Sequence, residues 1–163
     1  MKKNGYQFDS MLSNATEKVY YNPTANKLLV SVAGTDKYNP KDIITDVYLA
    51  AGKLQNTSRY KQAHNTIIDA KKKYIVNSAT LAGHSLGGSI VSYAGSKGDT
   101  IYTLDKGATI GTKTRSREKS YRSSGDVVSS LASNATNMKT LGKYRTPLAA
   151  HNISNIKKDK IYI

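Results

Sequence analysis

The 163-residue chain carries 25 Lys and Arg against 11 Asp and Glu, a net charge of +14, and it contains no cysteine and no tryptophan. That length corresponds to one domain, residues 1–163, able to bury roughly 70% of its unfolded surface in a single core, while the missing cysteines exclude disulfides and thiolate metal sites. No run of about 18 apolar residues is present to cross a membrane, and the opening MKKNGYQFDSMLSNATEK has lysines without the apolar stretch of a signal peptide, so a soluble chain is expected.

In chain order, Lys18–Tyr21 and Lys27–Val32 read as strands joined by the turn formers Asn22–Asn26, a hairpin. After Ala33-Gly34-Thr35-Asp36, the pair Asn39-Pro40 supplies an N-cap and a first-turn proline, with Asp42 favourable to the helix dipole. Ile44, Val47, Tyr48 and Ala51 then share one helical face. A second helix is predicted from about Ser58 to Lys73, with Tyr60, Ala63, Ile67 and Ala70 inward and three lysines complementing the dipole at its end. Tyr74–Val76 and Ala79–Ala82 read as strand leading into Gly83-His84-Ser85-Leu86-Gly87-Gly88. Beyond it, Ser89–Ser96 suits a short buried helix, Thr100–Leu104 and Ser120–Ser123 are strand-like, and Val127–Ala135 is helix-capable. Strands alternating with helices imply an α/β fold: a mostly parallel central sheet flanked by helices, with an N-terminal β-hairpin. In such sheets, sites form at the carboxyl ends of the strands.

Gly83 to Gly87 matches G-x-S-x-G, a strand-to-helix turn so sharp that it strains the serine and needs neighbours without bulk. Ser85 is therefore a candidate nucleophile. In the order serine, acid, histidine, His151 is the sole histidine after Ser85 and hence the sole candidate base. The acids between them are Asp99, Asp105, Glu118 and Asp126. Asp126 fits best because it directly follows the strand 120–123. Asp105 also follows a strand and is its rival, whereas Asp99 precedes one and Glu118 lies in the charged run Lys113–Lys119. An oxyanion hole needs the amide after the nucleophile, here Leu86, and a donor from the loop after an earlier strand, here Thr35 with its amide and hydroxyl. His84 is expected to be a structural residue beside the turn, pointing away from the serine's neighbours. His64 is expected to be a surface or satisfied histidine of its helix, and Asp46 a hydrogen-bonding residue of a helix or loop.

These segments resemble class 3 lipases of the α/β-hydrolase fold. Val30–Asp36 is similar to that family's strand and arginine-glycine-threonine turn, and Ile44-Thr45-Asp46-Val47 to its downstream aspartate segment. GHSLGG is similar to its nucleophile elbow, Ile101–Leu104 through Ile110-Gly111 to its next strand and loop, and Ser124-Gly125-Asp126-Val127-Val128 to its aspartate-isoleucine-valine motif. The chain departs from the family at Ala33, where arginine is usual, at Lys106-Gly107-Ala108 in place of glycine-x-proline, and in lacking the histidine-x-glycine-phenylalanine motif. It is also shorter, which implies a reduced sheet and little lid.

The resemblance implies a carboxylic ester hydrolase, lipase or phospholipase in type, with Ser85, Asp126 and His151 as triad, Thr35 and Leu86 as oxyanion hole, and no metal or cofactor. The charge of +14 adds an anionic membrane surface as an expected peripheral partner of a lipid or ester hydrolase. Nucleic acid is the less favoured partner, because lysines dominate the basic set and aromatic bulk is scarce apart from 12 tyrosines. Two other readings stay open: a soluble short-chain esterase or thioesterase, and a non-catalytic basic module retaining the fold. The compartment is open between the cytosol, export by a dedicated route, and a virion.

Overall fold

A computed structural model describes residues 4–35, 53–107, 117–126, 138–143 and 150–152. The helix expected over residues 39–51, with Asp46, the loop at Ile110-Gly111 and the segment 127–135 lie outside the described residues. The described residues contribute seven strands to one sheet, in sequence order: β1 (Gln7–Asp9), β2 (Glu17–Asn22), β3 (Lys27–Val32), β4 (Thr80–His84), β5 (Thr100–Leu104), β6 (Glu118–Ser124) and β7 (Met138–Lys143). β1, β2 and β3 pair antiparallel, and β3 to β7 pair parallel. This is the expected mostly parallel α/β-hydrolase-like sheet with its N-terminal hairpin.

The hairpin turns through Pro23–Asn26, with Asn22 facing Lys27 across the ladder. Asn22 Oδ1 accepts from the Ala25 amide at 3.0 Å, and Asn26 takes the left-handed backbone (φ +48°) that asparagine tolerates. Alternate residues Val19, Leu28, Val30, Val32, Leu81 and Ile101 form one buried sheet face. Among the described residues two α-helices cover it: α1 (Ser58–Tyr74), through Ala63, Ile67 and Ala70, and α2 (Leu86–Ala94), through Ile90 and Val91. Thr57 caps α1 by accepting from the Tyr60 amide at 3.2 Å.

At its other end α1 departs from expectation, because Tyr74–Val76 are not strand. Tyr74 is the last helical residue, its hydroxyl donating to Asp9 Oδ2 at 2.8 Å and its ring stacked on Tyr21 at 4.0 Å. Tertiary anchoring thus extends the helix over Tyr74, a residue of β propensity. The helix closes by bonds from the amides of Val76 to Lys71 O (3.0 Å) and Ile75 to Lys72 O (3.3 Å), which puts Ile75 at φ +51°. α2 starts at Leu86 rather than Ser89, immediately after Ser85. Parallel registers Val32 with Gly83 and His84 with Leu104 align the ends of β3, β4 and β5, so that Gly34, Ser85 and Asp105 emerge along one edge. Among the described residues, no helix is long and apolar enough to cross a membrane.

Candidate active site

Ser85 lies between β4 and α2 with φ +53° and ψ −125°, a backbone few non-glycine residues adopt. The turn is held from outside: the Ser85 amide donates to Leu104 O at 3.0 Å, and Ser85 O accepts from Ser89 N at 3.2 Å and Gly107 N at 3.4 Å. It is also crowded. A Cβ at Gly83 would run into the Gly87 carbonyl, and one at Gly87 into the Val32 carbonyl. The two glycines therefore let the elbow helix approach β3 closely enough to bring Ser85 to the sheet edge.

His151, 66 residues further on, reaches Ser85 from the segment 150–152. Ser85 Oγ lies 2.9 Å from His151 Nε2, and His151 Nδ1 lies 2.8 Å from Asp126 Oδ1. In the arrangement that satisfies both, the serine hydroxyl donates to Nε2 and Nδ1–H donates to the carboxylate. All three residues are buried. Asp126 is aimed by a tight turn after β6, closed by its amide on Ser123 O at 3.1 Å, with Gly125 at φ +87°, a value that calls for glycine at that position.

The rival acid is engaged elsewhere. Asp105 is fully buried, its Oδ1 accepting from the Ser123 amide at 2.6 Å and its Oδ2 from Ser123 Oγ at 2.9 Å. Burial raises its pKa to about 6 against the lowering by the Ser123 amide, and the nearby charge of Asp126 adds to the rise. Asp99 lies immediately before β5, held by Lys71, the Ala79 amide and Ser96.

One expectation, for His84, is corrected, and one residue of the charged run Lys113–Lys119 is withdrawn from solvent: Glu118 opens β6, is buried, and pairs with Lys106 at 2.5 Å. A lysine placed beneath the elbow by the β5 loop draws the carboxylate inward. His84 does not point away from the serine's neighbours. Its Nε2 donates to the His151 backbone carbonyl at 2.9 Å, and the two rings lie 4.9 Å apart at 40°. His64 is half-buried on α1 with its ring stacked on Tyr60.

Of the two residues expected as oxyanion donors, Leu86 has its amide in the first turn of α2, whose amides lack intrahelical acceptors. The loop after β3 passes directly over Ser85, since a Cβ at Gly34 would lie 3.0 Å from Ser85 Cβ and 2.8 Å from His84 O. Thr35 is the next residue and is half-buried. Arg59, which the sequence reading missed, donates from Nη2 to Ala33 O at 2.8 Å and ties this loop to α1. Its only sequence signal is a basic residue in the first turn of a helix, where the dipole disfavours one.

Among the described residues, His84, Asp105 and His151 present metal-capable atoms within 4.8 Å of one another. The hydrogen bonds to Ser85, Ser123, Asp126 and the His151 carbonyl already engage these side chains.

No protein-family model and no curated protein sequence matches this chain. Solved structures do. Lip2 lipase from Yarrowia lipolytica is similar with a TM-score of 0.54 and 13% identity, over 90% of this chain and 70% of that one. Two structures of the Rhizomucor miehei lipase propeptide complex, a deletion mutant and the native form, match with TM-scores of 0.47 and 0.46 and identities of 15% and 14%, over 76% of this chain. The chain spans about half the length of those two, at 50% and 51%. At such identity the likeness to Lip2 shows the fold alone, and the chain has a lipase-like α/β fold.

Proposed function

We propose that this chain, as a single domain of residues 1–163, is a serine hydrolase of carboxylic esters and a divergent relative of the class 3 lipases. The observation that carries the reading is the continuous chain from Ser85 Oγ through the His151 ring to Asp126, at 2.9 and 2.8 Å, built on a strained elbow. Ser85 Oγ attacks the ester carbonyl as its proton passes to His151 Nε2, and Asp126 holds the imidazole and stabilises its charged form. The Leu86 amide and Thr35 take the oxyanion. Collapse of the tetrahedral species expels the alcohol, which leaves with the proton from His151. Water, activated by the same imidazole, then cleaves the acyl-enzyme and restores Ser85. The mechanism calls for no metal or cofactor.

The substrate class we favour is a lipid ester met at an anionic surface. The net charge of +14 supports it, since each basic residue close to such a surface contributes about 1 kcal/mol to binding. The test is hydrolysis of short- and long-chain p-nitrophenyl esters and of anionic phospholipid vesicles by the native chain and by Ser85→Ala. Loss of kcat by about 10⁴- to 10⁶-fold in the variant is expected, with long-chain and vesicle substrates preferred. Preference for short chains with indifference to vesicles selects a soluble esterase instead. Native activity no greater than that of Ser85→Ala on every substrate overturns the hydrolase reading in favour of a binding module.

A further inference from the structure

His151 is joined to the elbow at two points, by consecutive residues. Ser85 meets its ring at Nε2, and His84, the last residue of β4, meets its main chain at the carbonyl oxygen. The side-chain bond alone leaves the imidazole free to follow any drift of the segment that carries it. The main-chain bond pins that segment to the strand from which the nucleophile departs. His84 is well suited to the task. Its Nε2–H must face the carbonyl, because a carbonyl oxygen can only accept. Burial, reinforced by the neighbouring His151, lowers its pKa to about 4, so the ring is neutral at neutral pH. A neutral donor holds the carbonyl without opposing the positive charge that acyl transfer builds on His151.

We infer that His84 is a positioning residue: by fixing the His151 carbonyl to the end of β4, it sets the reach between His151 Nε2 and Ser85 Oγ. The inference rests on the reading of His151 as general base. It places no demand on the substrate, since His84 acts only through His151.

Three substitutions separate the donor from the bulk. His84→Gln keeps an N–H at about the reach of Nε2, His84→Asn keeps an amide that falls short of the carbonyl, and His84→Leu fills space without a donor. With a p-nitrophenyl ester, His84→Leu and His84→Asn are expected to lose about 100-fold in kcat at unchanged KM, the scale of a misplaced catalytic group. His84→Gln recovers most of that loss. The second readout is independent of turnover: the His151 Nδ1 proton, hydrogen-bonded to Asp126, is expected as a slowly exchanging downfield proton resonance in the native chain and in His84→Gln. In His84→Asn it is expected to be lost to exchange. If the native chain shows no Ser85-dependent hydrolysis, the hydrolase reading fails and the resonance alone judges the positioning role. Folded His84→Asn retaining both native kcat and the native resonance would overturn it. So would His84→Gln failing as badly as His84→Asn, and should His84→Leu not fold, the Gln and Asn pair carries the comparison.

Discussion

The Lys106 ammonium lies 2.5 Å from the Glu118 carboxylate with both side chains withdrawn from solvent. Ser92 donates to Glu118 Oε2 at 2.9 Å and Ser120 to Oε1 at 3.0 Å, while Thr103 Oγ1 stands at 3.3 Å. The pair also underlies the elbow, since Gly88 packs against Lys106 Cβ and the adjacent Gly107 exchanges hydrogen bonds with Ser85 and Ser89. Buried ion pairs add little over an apolar replacement, but breaking one strands a charge. Glu118→Ala should therefore cost about 3–5 kcal/mol, whereas Lys106→Met with Glu118→Leu should cost less, about 1–3 kcal/mol, for the buried Ser92 hydroxyl it leaves unpaired. Urea denaturation of both decides it. A loss below about 1 kcal/mol in the single variant would mean that water reaches the Lys106 ammonium.

The elbow glycines should differ in tolerance. At Gly87 a methyl group meets the backbone of β3, which cannot yield without moving the sheet. At Gly88 the nearest atom is Lys106 Cβ, 2.9 Å away, on a loop. Gly87→Ala is expected to lose at least about 3 kcal/mol and Gly88→Ala about 1–2 kcal/mol, the upper and lower ends of overpacking costs. Thermal melting ranks them, and equal losses would show that the loop at Lys106 is as rigid as the sheet.

Features carried by local pattern were legible in the sequence. The apolar spacing of Ala63, Ile67 and Ala70 identified α1, the hairpin followed from its turn residues, and the glycine spacing around Ser85 identified the sharp turn. Features that depend on distant partners were not. β1 is three residues long with Phe8 half-exposed, and it exists through backbone pairing with β2, which leaves no alternation to read. β7 carries lysines at its second and last positions, Lys139 and Lys143, and pairs with β6 across a register shift. Glu118 sits among charges in the sequence, and only the fold brings Lys106 beneath it. Likewise the acceptor for His84 is a carbonyl 67 residues away, and no property of the GHSLGG string announces it.

Ile75 offers a stabilising change. It closes α1 at φ +51° while 89% exposed, so its side chain contributes little packing and a β-branched residue carries the left-handed strain. That strain is about 1–2 kcal/mol, and glycine removes it at the expense of a more flexible unfolded chain. Ile75→Gly should gain about 0.5–1 kcal/mol, a rise of about 2–4 °C in Tm at most for a chain of this size. A fall in Tm would show that the Ile75 side chain is covered in solution.

Asp105 and His84 should impose opposite pH slopes on stability. The Asp105 pKa is raised by burial from 3.8 to about 6. Its contribution is therefore fully present below pH 3.8 and lost as pH rises through about 6, a difference of about 3 kcal/mol. His84 is lowered by burial from 6.5 to about 4, so its contribution is present above pH 6.5 and lost as pH falls through about 4. Between pH 4 and 6 the two partly cancel. Asp105→Asn keeps an acceptor for the Ser123 amide, suits the left-handed backbone at φ +45°, and removes the first slope. The variant should exceed the native chain in stability at pH 8, by up to about 3 kcal/mol, converge with it near pH 4, and expose the acid loss due to His84. Urea denaturation at both ends of that range measures it. The same difference between variant and native chain at both ends would mean that Asp105 stays ionised throughout, its charge held by the two hydrogen bonds from Ser123.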